Sequence, residues 1–261
     1  MKKTLSLLVA AGVFLAVPAL SAFADAQGNQ IAKAYFSLKK AHDTSAEATM
    51  VILDRDGNKK IRKLEMWTRE TADTKDALTK FLQPADVAGT KFLTISRRGE
   101  PTDQRLYLPA LGKTRKIASS DKSGKFVNSD FFYYDLEPRY YGDDTYTFLG
   151  SGETLPDYPG MSFSEIEMKS KSRECPYSKS VAWVNDDNHF IYRVDVFNKD
   201  DGGLWKTIKF GKVKDIDGVL IPTETLVINH RDSSKTLMSV QNLRVNKGVP
   251  SGLFSVKGLE E

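Results

Sequence analysis

Short segments of strand-like alternation, separated by tight turns, are the feature that most constrains the fold of this 261-residue chain. The clearest pair covers residues 104–108 and 113–117. Between them, Pro109 has the φ angle that the second position of a type I turn requires, and Gly112 can adopt the left-handed conformation that closes the turn. We therefore predict a β-hairpin over these residues.

The same pattern extends over most of the chain. A turn at residues 55–58 separates two strands, and Pro84 and Gly89 separate the next two because they end one strand and permit entry into another. We predict roughly ten or eleven strands, a number consistent with an incomplete barrel. Besides the hairpin above, the predicted strands cover residues 46–54, 59–69, 77–82, 90–97, 180–185, 190–197, 204–210, 219–229 and 235–245.

Apolar and polar residues alternate within these strands. Leu64 and Met66 share one face of their strand, whereas Lys63 and Glu65 lie on the other. Alternation with a period of two is expected of a sheet with one apolar side, as the wall of a barrel requires. The predicted fold class is therefore mainly β, within the α+β class.

One segment has helical spacing instead. Within residues 30–41, Ile31, Ala34, Tyr35 and Leu38 fall at positions i, i+3, i+4 and i+7 and form one apolar stripe. We predict an N-terminal helix packed on the mouth of the barrel. The same helix can act as a lid over a cavity, and the two roles are compatible.

Four consecutive aromatic residues, Phe131 to Tyr134, need a separate explanation. As a strand, this run would place Phe131 and Tyr133 on one face and Phe132 and Tyr134 on the other. Both faces would then need cover. The surrounding residues 119–125 and 140–162 are rich in Gly, Ser, Asp and Pro, and we predict long connections with little regular structure there.

The chain begins with the pattern of a secretory signal peptide, predicted over residues 1–24. Lys2 and Lys3 form a basic region, residues 5–20 an apolar core, and Ala-Phe-Ala before Asp25 a small-x-small cleavage site. A membrane anchor is the alternative, but the apolar run is shorter than the ~20 residues that span a bilayer. We expect an exported protein with one domain over residues 25–261.

Charge and cysteine content narrow the classes of function. The formal net charge is +4, and Lys2 and Lys3 contribute two of these charges, so the exported chain is too balanced to indicate nucleic-acid binding. Cys175 is the single cysteine, which excludes an intramolecular disulfide. No cysteine stands directly after the predicted signal, so we expect no lipid attachment at the new N-terminus. A cluster of Lys169, Lys171, Arg173 and Lys179 is typical of a solvated face, with contact to an anionic membrane as the alternative.

Patterns that carry catalysis or metal binding are missing from the sequence. His42, His189 and His230 are far apart, and no zinc spacing, nucleophile elbow or phosphate loop occurs. The acidic residues around Gly57 resemble a calcium loop, but the glycine comes two places too early, so a turn is the better interpretation. We predict a binding protein without a cofactor or metal. A triad assembled in space stays an alternative, and it would require one of the histidines.

Three ordered motifs resemble a known family: F-L-x-P-A-D-V-x-G-T at 81–90, L-Y-L-P-A-L-G-K-x-R at 106–115, and S-D-F-x-Y-x-D-L at 129–136. Together they are similar to the LolA-like family of outer-membrane lipoprotein-sorting proteins, in the longer branch often found beside exporters of the resistance-nodulation-division type. The similarity covers essentially the whole exported chain. Two positions depart from the family pattern: Asn128 stands where Gly is usual, and Tyr134 where Glu is usual.

The resemblance implies a half-open antiparallel β-barrel, closed by helical segments, with an apolar cavity for acyl chains. It therefore implies a periplasmic carrier of lipid or lipoprotein acyl chains toward the outer membrane. An inner-membrane exporter, an outer-membrane acceptor and peripheral membrane contact are the implied partners. The alternative is an adaptor that docks on an exporter without cargo. An adaptor would have a filled interior and an exposed aromatic patch at residues 131–134, whereas a carrier needs a continuous apolar cavity.

The predicted acyl-chain contacts are large apolar residues on the inward faces of the predicted strands and in the aromatic run. Ordinary core packing is an equally good interpretation of each, because barrel interiors are filled by such side chains. The eleven residues are Met50, Ile52, Leu64, Met66, Phe81, Leu106, Phe131, Tyr133, Trp183, Phe190 and Tyr192.

Overall fold

The computed structural model describes residues 17–260, which form one antiparallel sheet of thirteen strands with an N-terminal helix. The predicted fold class is confirmed, with thirteen strands instead of ten or eleven. The strands are β1 (Asp43–Leu53), β2 (Lys59–Glu70), β3 (Thr74–Gln83), β4 (Lys91–Arg97), β5 (Asp103–Leu108), β6 (Lys113–Lys116), β7 (Asp144–Glu153), β8 (Phe163–Ser170), β9 (Tyr177–Asn185), β10 (Ile191–Asn198), β11 (Leu204–Ile216), β12 (Val219–Asn229) and β13 (Ser234–Val245). The helices are α1 (Val17–Phe36) and α2 (Val256–Glu260).

The two additional strands are β7 and β8. β7 lies within residues 140–162, which we predicted as a long connection, so that prediction is wrong for residues 144–153. Aromatic and threonine residues alternate at the start of β7, from Thr145 to Phe148, which is a strand signal. The glycines at 150 and 152 obscured it.

The order of strands explains why the barrel stays open. Within the sheet the order is β6-β5-β4-β3-β2-β1-β13-β12-β11-β10-β9-β8-β7, so β1 and β13 pair in the middle and β6 and β7 form the two edges. In the central pairing, Met50 lies opposite Met238. Because β6 and β7 are consecutive in sequence, residues 117–143 must run from one edge of the sheet to the other. We call residues 117–143 the crossing segment.

The crossing segment fills part of the interior. Its Phe126 and Phe131 pack in one cluster with Met50, Leu64 and Phe81. Its Phe132 and Tyr134 pack in a second cluster. The partners there are Tyr177 of β9, Val196 of β10 and Cys175, which lies just before β9. The aromatic run is therefore not a strand, but its side chains alternate between two partners as a strand would. Both sets of aromatic side chains are therefore covered by other residues, as we expected from the sequence.

Buried polar contacts hold the crossing segment to the sheet. Thr236 Oγ1 on β13 donates to Asp130 Oδ2 at 2.7 Å, and Gln104 Nε2 on β5 donates to the Tyr133 carbonyl at 2.8 Å. The Lys122 ammonium pairs with Glu137 within the segment, at 2.7 Å, and with Glu174 in the connection between β8 and β9. Asn128 has φ +58°, in the left-handed region that Asn adopts more readily than most residues.

Helix α1 packs on the edge of the sheet formed by β7 and β8. It ends at Phe36, five residues before the predicted end, and Ala32 is its most deeply buried apolar residue, 1% exposed. A Cβ atom on Gly28 would lie only 2.7 Å from the Phe148 backbone nitrogen, so the absence of a side chain there permits the close approach to β7. Residues 1–16 lie outside the described residues, and the signal peptide stays a prediction.

The opposite face of the sheet has its own apolar cover. Phe254 and Leu259, from the C-terminal segment, pack on Leu78 and Leu93 of β3 and β4, with Trp67 against the same cluster. The sheet is therefore apolar on both faces in this half. Such cover protects apolar surface that would otherwise be exposed.

Candidate functional site

A cavity of about 460 Å³ lies between α1, the end of the crossing segment and strands β8–β11. This volume is within the range of about 300–1,000 Å³ that is usual for ligand pockets. The cavity lies in the part of the interior that the first aromatic residues of the crossing segment do not fill. It is the candidate functional site.

Large apolar side chains form one wall of the cavity. Ile208 and Phe210 are two residues apart on β11, so both point to the same face of the sheet. Ile191 and Val194 on β10 are three apart, yet both reach the wall, because an extra residue in β10 between Ile191 and Arg193 shifts the register with β9. The apolar lining consists of Tyr35, Phe36, Met168, Ile191, Val194, Ile208 and Phe210.

The other side of the cavity is polar and is built around Arg139. Its guanidinium donates to the Tyr134 hydroxyl at 2.8 Å, to Ser170 Oγ at 3.3 Å and to the Asp144 carboxylate. Burial raises the pKa of the Tyr134 hydroxyl and, against the effect of Arg139, the pKa of Asp144. The group at residue 134 that contacts Arg139 is therefore a neutral phenol.

A buried network next to the cavity joins the crossing segment to the sheet. Lys206 on β11 is fully buried, and its Nζ lies 2.9 Å from Asp135 Oδ2 and 3.1 Å from the Tyr177 hydroxyl. The same ammonium lies 3.0 Å from the centroid of the Phe132 ring. Burial lowers the pKa of Lys206 and Asp135 opposes that shift, while burial raises the pKa of Tyr177. Asp135 and Tyr177 line the cavity, so this network fixes part of its wall.

A second hollow, of about 700 Å³, adjoins the cavity, and we call it the vestibule. The two hollows share four lining residues, Phe36, Lys40, Glu70 and Lys75, which we call the neck. Lys33, His42, Arg98, Tyr140 and Tyr141 are among the other residues that line the vestibule. The apolar cavity is thus reached past charged groups.

The eleven predicted contacts lie in packed clusters beside the cavity. Met50, Ile52, Leu64, Phe81, Leu106 and Phe131 are buried together, with Met66 and Tyr133 packed against them. Phe190 and Tyr192 are buried in another cluster, with Trp183 packed against it. The residues that line the cavity are others, and contact between the eleven residues and a ligand stays a prediction.

Signals for some of the true lining residues were present in the sequence. Tyr35 belongs to the predicted helical stripe, and Val194 shares a predicted strand with Phe190 and Tyr192. Ile208 and Phe210 alternate within a predicted strand. The position of the crossing segment decides which part of the interior is filled and which part is hollow. The order of the strands sets that position.

Other residues singled out in the sequence have structural contacts. Lys169 and Lys179 of the basic cluster both pair with Glu167, at 2.7 and 2.8 Å. Cys175 is buried and lines the cavity, with Sγ 3.5 Å from the Tyr177 carbonyl. His230 Nε2 lies 3.0 Å from Thr207 Oγ1.

Metal-binding clusters and membrane-spanning helices are both absent from the described part of the chain. Residues 17–260 contain no group of three or more His, Cys, Asp or Glu side chains placed to hold a metal ion. Over the same residues, no helix combines the length and the hydrophobicity needed to cross a membrane.

Comparison with known proteins agrees with the fold and the motifs. A family model whose description reads "Uncharacterized protein" matches residues 73–261. A solved structure of a proposed outer membrane lipoprotein-sorting protein domain from Vibrio parahaemolyticus is 26% identical, with a TM-score of 0.85, over 91% of this chain and 100% of that chain. A DUF1329 family protein from Desulfovibrio piger is 28% identical, with a TM-score of 0.84, over 90% of this chain and 99% of that chain.

A more distant structure shows the fold alone. A LolA superfamily protein from Nitrosomonas europaea is 15% identical, with a TM-score of 0.68, over 88% of this chain and 98% of that chain. The comparison with curated proteins gives no match. The fold of this chain therefore belongs to the class of open antiparallel β-barrels with an N-terminal helix. The chain belongs to the family whose model, described as "Uncharacterized protein", matches residues 73–261, and it is similar in sequence and fold to the lipoprotein-sorting protein domain from Vibrio parahaemolyticus.

Proposed function

We propose that this protein is a periplasmic carrier that binds a lipid or lipoprotein acyl chain in the cavity and moves it toward the outer membrane. The single observation that supports this most strongly is the 460 Å³ cavity with its apolar wall from α1, β8, β10 and β11. An inner-membrane exporter as donor and an outer-membrane acceptor are part of the proposal. So is a location in the periplasm after removal of the signal peptide.

The energetics favour an enclosed site. Each buried methylene contributes ~0.8 kcal/mol, so a chain of about twelve would cost on the order of 10 kcal/mol to hold in water. An enclosed apolar cavity offsets most of this cost, whereas a surface groove offsets only part. A wall of Met168, Val194 and Ile208 supplies apolar contact without polar groups that would need partners.

The open edges of the sheet support release. A carrier must hold its cargo no more tightly than the acceptor does, or the cargo is never delivered. Tyr35 and Phe36 line the cavity from α1, whose main contacts are with β7 and β8 at one edge of the sheet. Movement of α1 away from that edge would open the cavity without separating paired strands, so α1 fits the role of a lid.

The adaptor alternative has less support from the structure. It expects an exposed aromatic patch at residues 131–134, but Phe131, Phe132 and Tyr134 are between 3 and 7% exposed. It also expects a filled interior, whereas a cavity of about 460 Å³ lies between α1 and strands β8–β11. An adaptor therefore lacks the surface that would define it.

Uptake from vesicles tests the proposal. Purified protein, stripped of lipid, is incubated with vesicles that contain a fluorescent acyl lipid and is then separated from them by flotation. We expect the probe to accompany the protein at close to one molecule per chain. Protein that takes up no probe, and that carries no lipid by mass spectrometry when purified from periplasm, would refute carriage.

A further inference from the structure

The vestibule carries more positive than negative charge. Four cationic side chains, Lys33, Lys40, Lys75 and Arg98, line it against the single carboxylate of Glu70. Arg98 is largely exposed and has a partner outside the hollow, since its Nε lies 3.6 Å from an Asp73 carboxylate oxygen. The excess that matters is therefore at the neck, where two lysines face one carboxylate.

The two lysines at the neck differ in their partners. Lys75 Nζ lies 3.3 Å from Glu70 Oε1 and donates to the Arg139 carbonyl at 2.9 Å. Lys40 Nζ stands over the Tyr35 ring, 4.9 Å from its centroid, and forms no ion pair with any of the described residues. Burial and the charge of Lys75 lower the pKa of Lys40, and Glu70 opposes the shift. One positive charge at the neck is thus left without a matching anion.

The position of the Lys40 charge at the mouth of the cavity indicates what kind of ligand head would bind there. Lys40 and Lys75 line both hollows, so they lie where the cavity meets the vestibule. An amphiphile with its chain in the cavity has to place its head at this boundary. Hydrogen bonds from an ammonium group to an oxyanion are stronger than bonds between neutral groups.

We propose that the neck binds the oxyanion head, a carboxylate or a phosphate, of the amphiphile whose acyl chain occupies the cavity. This inference rests on the proposed function, because it assigns the head of a ligand whose chain that function places. Lys40 is the residue that the anion would pair with, and Lys75 contributes through its charge. The ligand is then an anionic lipid in preference to a neutral one.

Three probes with the same palmitoyl chain separate the possibilities: palmitate, palmitoyl lysophosphatidic acid and the neutral monopalmitoylglycerol. Their affinities are measured for the wild type, for Lys40→Gln and for Lys60→Gln. Lys60 is exposed at the end of the β1–β2 hairpin and lines neither hollow, so the control removes the same charge elsewhere.

We expect at least one anionic probe to bind the wild type about tenfold more tightly than the neutral probe, and Lys40→Gln to remove that advantage. The neutral probe should bind all three proteins equally, and Lys60→Gln should match the wild type. Which anionic probe is preferred distinguishes a carboxylate from a phosphate.

Equal binding of all three probes, unchanged by Lys40→Gln, would overturn the inference and leave acyl-chain carriage intact. Failure of all three probes to bind the wild type would refute the proposed function, and the inference with it. Circular dichroism of each variant establishes that the fold is retained.

Discussion

Lys206 Nζ lies 2.9 Å from Asp135 Oδ2, and the Lys206 side chain is completely shielded from solvent. This contact joins the start of β11 to the crossing segment. It places a charged pair beside the cavity, where Asp135 forms part of the wall and Lys206 lies behind it. The crossing segment is therefore a fixed part of the barrel interior.

Removing one charge of this pair should destabilise the fold strongly. Asp135→Asn keeps the shape of the side chain but leaves the Lys206 ammonium without its anion, and we expect a loss of about 3–5 kcal/mol in the free energy of unfolding. The double variant Asp135→Asn, Lys206→Met should be more stable than Asp135→Asn alone, because no buried charge is left unpaired. Urea titration of the wild type, of Asp135→Asn, of Lys206→Met and of the double variant gives the coupling free energy between the two residues. Strictly additive effects would show that the two residues do not act as a pair.

The contact of α1 with β7 should depend on Gly28. Alanine at this position would place its Cβ 2.7 Å from the Phe148 nitrogen, so α1 has to move outward. We expect Gly28→Ala to destabilise the protein by about 1–3 kcal/mol, although alanine by itself favours a helix by ~1 kcal/mol. Gly150→Ala on β7, where nothing lies within 4 Å of the added atom, is the matched control. Thermal unfolding midpoints measure both, and a Gly28→Ala variant at least as stable as the control would contradict this contact.

Tyr158 should contribute to alkaline sensitivity. Its hydroxyl donates to the Tyr192 carbonyl at 2.9 Å and to the Phe210 carbonyl at 3.1 Å. Burial, and then the nearby charge of Asp157, raise its pKa to about 12, against about 10 in the unfolded chain. The folded state therefore holds this proton more tightly, and the stability it provides is complete below pH 10 and is lost as the pH rises toward 12.

The comparison of the wild type with Tyr158→Phe isolates this effect. Phenylalanine cannot ionise, so the free energy of unfolding should fall less between pH 10 and 12 for the variant than for the wild type. At pH 7 the variant should be the less stable of the two, because two carbonyl partners lose a donor. Urea unfolding at pH 7, 10 and 11.5 measures both effects, and parallel pH curves would contradict the assigned role.

Phe254 should anchor the C-terminal segment on the outer face of β3 and β4. Its ring is 6% exposed, packs with Leu78 and Leu93, and lies 4.8 Å from the Arg69 guanidinium carbon. We expect Phe254→Ala to cost about 3–5 kcal/mol. Leu149→Ala, which truncates a side chain that is 48% exposed, should change stability by no more than about 0.5 kcal/mol. Similar values for the two variants in chemical denaturation would show that the segment is only loosely attached.

Much of the sheet was predictable, because strand alternation and turn residues are local signals. The hairpin at Pro109 and Gly112 formed as predicted, with Gly112 at φ +56°. The sidedness of the aromatic run was also predictable from its period of two. The two sets of aromatic side chains in this run pack on opposite halves of one sheet. This arrangement was not predictable, because it depends on the pairing of β1 with β13.

The polar part of the site was not predictable for the same reason. Nothing local distinguishes Lys206 from the other lysines and arginines, 38 in all. Its burial results from the position of Phe132 and Asp135, which are more than 70 residues away in sequence. Likewise, Lys40 lies beyond the end of α1 in a short connection, and its place at the neck becomes visible only when β3 brings Lys75 beside it.

Filling the cavity tests the central claim most directly. Ile208→Trp would place a larger side chain in the apolar wall, whereas Ile61→Trp makes the same change at a position that is 47% exposed. The measurement is the number of acyl lipids per chain, by mass spectrometry, for protein purified from periplasm and after incubation with lipid vesicles. We predict close to one lipid per chain for the wild type and for Ile61→Trp, and a loss of most of that lipid for Ile208→Trp with the fold intact. An unchanged lipid content in Ile208→Trp would contradict the assignment of this cavity as the acyl-chain site.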